Sequence, residues 1–135
     1  YWMIQRSWQP GDTVSCEMEM EPERVYAHPM VRADAGCVAL RRGPIIYTFE
    51  GVDNGEDLQT LRIPREAKIE ALPYQADLLE GIVALRVTGC RKKMAVNPAL
   101  YAEDAAPEEM VTLRAIPYYA WCNRGMTHMR VWMQE

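Results

Sequence analysis

Thr13-Val14-Ser15-Cys16-Glu17-Met18-Glu19-Met20 is the stretch on which the fold class turns. Val14, Cys16, Met18 and Met20 occupy alternate positions, with Ser15, Glu17 and Glu19 between them. A β-strand sends successive side chains to opposite faces, so the stretch predicts one buried and one solvated face. At helical spacing the same apolar residues would scatter around the axis. Thr13-Val14 adds β-branched character. Upstream, Ile4, Arg6 and Trp8 share a strand face, and Gln9-Pro10-Gly11-Asp12 predicts a turn. Residues 2–20 therefore read as a β-hairpin, with Cys16 among its buried positions.

Working outward, further strands are expected at 24–27, 37–41 and 45–50, punctuated by Ala33-Asp34-Ala35-Gly36 and Arg42-Gly43-Pro44. Residues 51–57 read as a polar loop in which Asn54-Gly55 suits positive φ. Short strands follow near 61–63 and 68–72, and residues 78–80 suit a helical turn. Val83, Leu85 and Val87 alternate with Ala84 and Arg86, as on another strand. Residues 91–110, with Lys92-Lys93, Pro98 and Pro107, read as a long connection. The last strands are expected at 111–116 and 129–133. About ten short strands and no capped helix predict an all-β fold, an antiparallel, jelly-roll-like β-sandwich with little or no helix.

At 135 residues the chain has the length of one ordinary domain. Apolar residues make up 49% and charged residues 25%, proportions that suit a folded core rather than disorder. The net charge of -4 lacks the basic excess a nucleic-acid partner demands. No apolar run approaches the roughly 18 residues that suggest a membrane span. The chain begins at Tyr1 rather than Met, with no basic start and apolar run, and so reads either as a processed form or as a piece of something larger. Cys16, Cys37, Cys90 and Cys122 include no C-x-x-C pair, and His28 and His128 lie far apart. They read as free cysteines, with no metal implied, and reduced thiols favour a cytoplasmic setting.

No G-x-S-x-G elbow, Walker loop, H-E-x-x-H or Gly-rich dinucleotide turn is present. His28, before Pro29, and His128, after a Gly-containing turn, read as structural or surface histidines. Glu17, Glu19, Glu21 and Glu23 recur at alternate positions, the pattern of a solvated strand face rather than of a catalytic pair. Four Trp and seven Tyr stand against a single Phe. Trp2, Trp8, Trp121 and Trp132 lie at the two ends of the chain, and either fill the core of one sheet or form a carbohydrate platform or partner surface.

Several blocks resemble the C-terminal part of glycoside hydrolase family 127, the β-L-arabinofuranosidase family. Residues 4–14, Ile4-Gln5-Arg6-Ser7-Trp8-Gln9-Pro10-Gly11-Asp12-Thr13-Val14, match its R-x-W-x-x-G-D-x-V strand and turn. Arg24-Val25-Tyr26-Ala27-His28-Pro29 and Val38-Ala39-Leu40-Arg41-Arg42-Gly43-Pro44-Ile45-Ile46-Tyr47 match R-V-x-A-N/H-P and V-A-L-x-R-G-P-L-V-Y, and Glu50-Gly51-Val52-Asp53-Asn54 continues the match. Pro117-Tyr118-Tyr119-Ala120-Trp121-Cys122-Asn123-Arg124-Gly125 and Met129-Arg130-Val131-Trp132 resemble P-Y-Y-A-W-x-N-R-G and a closing M-x-V-W. Residues 56–110 match only loosely.

The resemblance implies a fragment. Family members place an (α/α)6 barrel before β-sandwich domains, and the barrel removes a terminal β-L-arabinofuranosyl residue through a zinc-bound cysteine nucleophile and a glutamate acid/base. Those motifs have no counterpart here, so no catalytic, cofactor or metal role passes to any residue of this chain, and zinc belongs to the absent barrel. Thr48 stands where the family often has Cys. Arg6, Trp8, Asp12, Trp121, Asn123, Arg124 and Trp132 carry over as structural anchors, with Trp8 and Trp132 in one core. The family's organisation divides the chain into 1–50 (end of a middle sandwich), 51–117 (a C-terminal sandwich module) and 118–135 (a returning strand), whereas length alone suggests a single sandwich. The expected role is a non-catalytic part supporting its own N-terminal barrel. The alternatives are a free-standing carbohydrate-binding module and an assembly module that forms a homodimer.

Overall fold

A computed structural model describes residues 1–93 and 100–135. Nine strands are present among the described residues: β1 (Pro22–Val25), β2 (Cys37–Arg42), β3 (Ile45–Glu50), β4 (Leu61–Arg62), β5 (Ile69–Ala71), β6 (Leu85–Lys92), β7 (Glu108–Pro117), β8 (Met129–Arg130) and β9 (Met133–Gln134). The helical content of the described residues is one turn, α1 (Gly51–Asn54), and three 3-10 turns, so the all-β class expected from the sequence holds. β2 and β3 form a hairpin with Arg42 opposite Ile45. Gly43 has φ 56°, the positive value a primed hairpin turn requires at its first central position, and Pro44 supplies the fixed negative φ at the second.

The strands form one mixed sheet. β2 pairs with β9, β9 with β4, β4 with β6, β6 with β7, β7 with β3, and β3 with β2 again, so the pairings close into a ring. β4 and β9 run parallel, and the other pairs are antiparallel. The final residues join both members of the hairpin: Arg130 lies opposite Phe49 and Met133 opposite Val38, with a bend at Val131–Trp132 between them. Thr48, buried beneath this crossing, donates its hydroxyl to the Arg130 carbonyl at 3.0 Å.

One core fills the ring. Val38, Leu40, Tyr47, Phe49, Leu58, Leu61, Ile63, Leu85, Val87, Leu113, Ala115 and Met133 form a single buried cluster that joins β2 to β9 through the strands between them. Leu85 and Val87 face inward while Arg86 and Thr88 face outward, the period of two read from the sequence. A smaller cluster of Ile82, Ala84, Ile116 and Ala120, with Leu72, Leu78 and Leu79 against it, lies under the turns at 78–81 and 118–120.

Several expectations are corrected. The hairpin over residues 2–20 does not form: no strand precedes Pro22. Alternation records which face a strand would bury, but a ladder and an apolar surface must be present to receive it. Here Val14 and Met18 stay exposed, and so does Cys16. Only the turn persists, Asp12 donating its N–H to the Gln9 carbonyl at 3.1 Å around Gly11 at φ 97°. Trp2 and Trp8 are exposed, so they do not share a core with Trp132, which is half-buried. Residues 51–54 of the expected polar loop form α1, and Gly55 alone takes positive φ. The expected connection 91–110 is shorter at both ends, because β6 runs to Lys92 and β7 starts at Glu108. Its Pro98 lies outside the described residues.

Candidate functional site: the Arg124 ion cluster and the turn it holds

β3 ends on Glu50, and α1 begins immediately after it. A helical turn brings positions three apart to one side, and so sets Asp53 beside Glu50. Arg124 reaches both carboxylates. Its Nη1 donates to Asp53 Oδ1 at 2.9 Å, and its Nη2 donates to Asp53 Oδ2 and Glu50 Oε2 at 2.5 Å each. The Asp53 contact has the fork geometry that only a guanidinium offers a carboxylate. Glu50 is 1% exposed, Asp53 11% and Arg124 19%, so the charges are compensated within the cluster rather than by water. Hydrogen bonds donated to Asp53 and to Glu50 hold the Arg124 proton more tightly than usual, outweighing the opposing effect of burial.

The cluster fixes a loop. The backbone N–H of Cys122 donates to Glu50 Oε1 at 2.7 Å, and Cys122 is held at φ 64°, a conformation non-glycine residues rarely adopt. Asn54 continues the network. Its Nδ2 donates to the carbonyls of Glu50 and Arg114 at 2.9 and 2.8 Å, and its Oδ1 accepts the Arg114 N–H at 2.8 Å. Arg91 donates to the Asn54 carbonyl at 2.5 Å. These bonds tie α1 to β6, β7 and the loop after Ala120. Chemically the arrangement orients rather than reacts: both oxygens of each carboxylate already face fixed donors, which leaves neither poised to exchange a proton with a substrate.

Elsewhere the titratable groups make surface networks. Glu135 accepts from Tyr26 Oη at 2.7 Å and Arg65 Nη2 at 2.6 Å, which lowers the carboxyl, chiefly through Arg65, and raises the Tyr26 phenol. Glu70, between Lys68 and Arg86, is lowered by hydrogen bonds from both. His28 Nδ1 accepts the Met30 N–H at 3.2 Å, a local structural bond. His128 is exposed, 3.9 Å from Glu56. The four cysteines are free. Among the described residues no three His, Cys, Asp or Glu side chains converge as a metal site would need, so the zinc implied by the resemblance finds no fitting ligand set in them. No helix among them is long and apolar enough to cross a membrane.

This framework coincides with a known sequence profile. The Glycoside hydrolase family 127 C-terminal domain matches residues 22–134. The chain belongs to glycoside hydrolase family 127. The non-reducing end β-L-arabinofuranosidase of Bifidobacterium longum subsp. longum is 38% identical over 132 residues, which cover 93% of this chain and 20% of that protein. Among solved structures, a GH127 β-L-arabinofuranosidase from Geobacillus stearothermophilus T6 superposes with a TM-score of 0.82 at 49% identity, over 86% of this chain and 18% of its own. A second GH127 β-arabinofuranosidase gives 0.72 at 32% identity, over 85% and 17%. The chain thus spans about a fifth of the length of the relatives it matches.

Six of the seven anchors named from the sequence fall into two groups, and the seventh, Trp132, is half-buried at the bend between β8 and β9. Arg6, Trp8 and Asp12 meet one another outside the matched region: Arg6 Nη2 lies 3.0 Å from Asp12 Oδ2, and its guanidinium carbon lies 5.2 Å from the Trp8 ring centroid. Trp121, Asn123 and Arg124 share the loop after β7. Arg124 enters the ion cluster, Asn123 donates to the Ala120 carbonyl at 3.2 Å, and Trp121 stands partly exposed at its start. The partners of Arg124 were not singled out from the sequence. The available signal was Glu50-x-x-Asp53-Asn54-Gly55 at a strand end, an acidic pair at helical spacing before a glycine stop.

Proposed function

We propose that this domain is the non-catalytic C-terminal part of a longer family-127 hydrolase that acts on arabinofuranosides in carbohydrate degradation, and that it braces the catalytic portion. The observation that carries the reading is the match to the family's C-terminal domain at about a fifth of the relatives' length. The exposed apolar face of residues 1–20 supports it: Ile4, Trp8, Val14 and Met18 alternate as a strand's core face would and lie open in the chain alone. A preceding segment of the same protein would supply the missing ladder and cover that face. The activity named for the relatives would reside in that preceding portion.

The test compares this chain with a form extended through its upstream coding sequence, on an aryl β-L-arabinofuranoside with zinc and thiol. The expected outcome is turnover by the extended form alone, with residues 1–20 protected from hydrogen exchange only there. Robust turnover by the 135-residue chain would overturn the non-catalytic reading, and exchange at 1–20 that is equally fast in both forms would overturn the bracing role.

A further inference from the structure

We infer that the concavity between the 78–81 turn and the 118–123 loop is a binding site for a neutral, hydroxyl-rich sugar unit. The cavity has a volume of about 450 Å³ and is lined by Leu79, Glu80, Tyr119, Ala120 and Asn123. That volume lies in the range of small-molecule sites. Its lining combines the groups a sugar needs: an aromatic ring, an apolar floor and hydrogen-bond acceptors. Tyr119 is 65% exposed, which leaves its ring free to cover an apolar sugar face while its hydroxyl meets water or ligand. Leu79 and Ala120 rest on the smaller core cluster and make the floor.

The polar groups decide the class of ligand. Glu80 has no ion-pair partner among the described residues, and its carboxylate is a charged acceptor for sugar hydroxyls. Asn123 gives one Nδ2–H to the Ala120 carbonyl, which leaves Oδ1 as a second acceptor and the other N–H as a donor for a hydroxyl. The lining contains no cation, so a phosphate or uronate would find no charge to pair with there and would face the Glu80 carboxylate. An apolar protein surface laid over the same cavity would strand both acceptors without partners. A neutral polyol satisfies them.

Both walls are fixed before any ligand arrives. Tyr74 packs so closely on Gly81 that a Cβ there would sit 1.8 Å from its hydroxyl, which sets the end of the 78–81 turn. Asn123 lies between Cys122 and Arg124, both tied to buried Glu50. A buried ion cluster thus holds a loop whose outward residues, Tyr118, Tyr119 and Trp121, have little else to pack on. Preorganisation of this kind reduces what binding must spend on ordering side chains. The inference is independent of the bracing role, since the cavity is complete within this chain.

The experiment titrates methyl β-L-arabinofuranoside, L-arabinose, arabino-oligosaccharides and glucose into the chain, with galacturonate as an anionic control, and follows amide NMR shifts and tyrosine fluorescence. The expected result is saturable shifts at Glu80, Tyr119 and Asn123 with at least one neutral sugar and none with galacturonate. Tyr119→Ala and Glu80→Gln should each weaken binding roughly tenfold at an unchanged thermal midpoint, because both residues are exposed, whereas Tyr101→Ala should bind normally. No saturable shift with any neutral sugar, equal response to galacturonate, or native affinity in both site variants would each overturn the inference. So would finding Tyr119 covered by protein in the upstream-extended form, which would make the concavity a domain contact.

Discussion

Replacing Arg124 with methionine separates the stem's packing from the charge at its end. Arg124→Met keeps most of the apolar volume and deletes the three guanidinium hydrogen bonds to Glu50 and Asp53. Glu50, at 1% exposure, is left as a carboxylate with one backbone N–H from Cys122 and no cation. Breaking a buried pair in this way costs about 3–5 kcal/mol. Adding the charged hydrogen bonds individually would overshoot that range, because Asp53 is the more open of the two carboxylates and has Arg114 Nη1 at 3.9 Å to lean on. A loss near 3 kcal/mol is therefore expected. For a chain of this length that corresponds to a fall in Tm of roughly 10 °C or more.

The assay is urea unfolding followed by circular dichroism at pH 7, with Glu50→Gln and the double variant measured beside Arg124→Met. Glu50→Gln removes the charge that Arg124 neutralises, so it too should destabilise. The double variant leaves neither an uncompensated anion nor an uncompensated partner cation at that contact. It should be less destabilised than the two single losses together by about 0.5–3 kcal/mol, the range for residues in direct contact. Losses below about 1 kcal/mol in both single variants, or strict additivity, would refute the claim that this buried cluster anchors the loop.

Three further outcomes are expected. Gly89→Ala should destabilise by about 1–3 kcal/mol in the same unfolding assay, since its Cβ would lie 2.4 Å from Leu113 Cδ1 and 2.9 Å from the Arg62 carbonyl oxygen. Deleting residues 1–20 should change the stability of the remaining chain by no more than about 0.5 kcal/mol, because that stretch has no ladder to lose, and a larger fall by calorimetry would mean it packs on the domain. Acid should weaken the fold through Glu70 and Glu135. Both carboxyls are lowered in the folded state, so their contribution is complete above the unfolded value of 4.5 and is lost as pH falls through the lower folded values. Removing Glu135 by Glu135→Gln should flatten that part of a Tm-against-pH curve.

What was legible in the sequence follows from where each signal originates. β3 was bounded correctly at 45–50 because Gly43-Pro44 marks one end and the polar run after Glu50 marks the other. β6 was legible in part: Leu85 and Val87 alternate across Arg86 and the sheet buries that face, but the strand starts at Leu85 rather than Val83, Ala84 is buried too, and the ladder runs on to Lys92. The ion cluster was half legible. Arg124 stood out beside Trp121 and Asn123, but its partners lie more than 70 positions away, and no local pattern can announce a contact made by closing the sheet. The exposed tryptophans failed for a related reason. Hydrophobicity measures what a residue would gain by burial, whereas burial itself depends on another element arriving to cover it.

The N-terminal stretch then carries a meaning that neither its pattern nor its exposure has alone. A disordered tail would have no reason to alternate Val14, Cys16, Met18 and Met20 against Ser15 and two glutamates, since alternation is useful only where one face meets a core. Yet the ring of strands is already closed without it, β2 and β3 having β9 and β8 beside them, and the main core takes no residue from it. Met20 approaches the domain at the hairpin turn, where its sulfur would lie 2.6 Å from a Cβ at Gly43, and Met18 and Met20 share a shallow cavity with Arg42. A strand pattern that joins no ladder of the domain and adds nothing to its main core fits the proposed bracing role, in which a surface outside that core covers it.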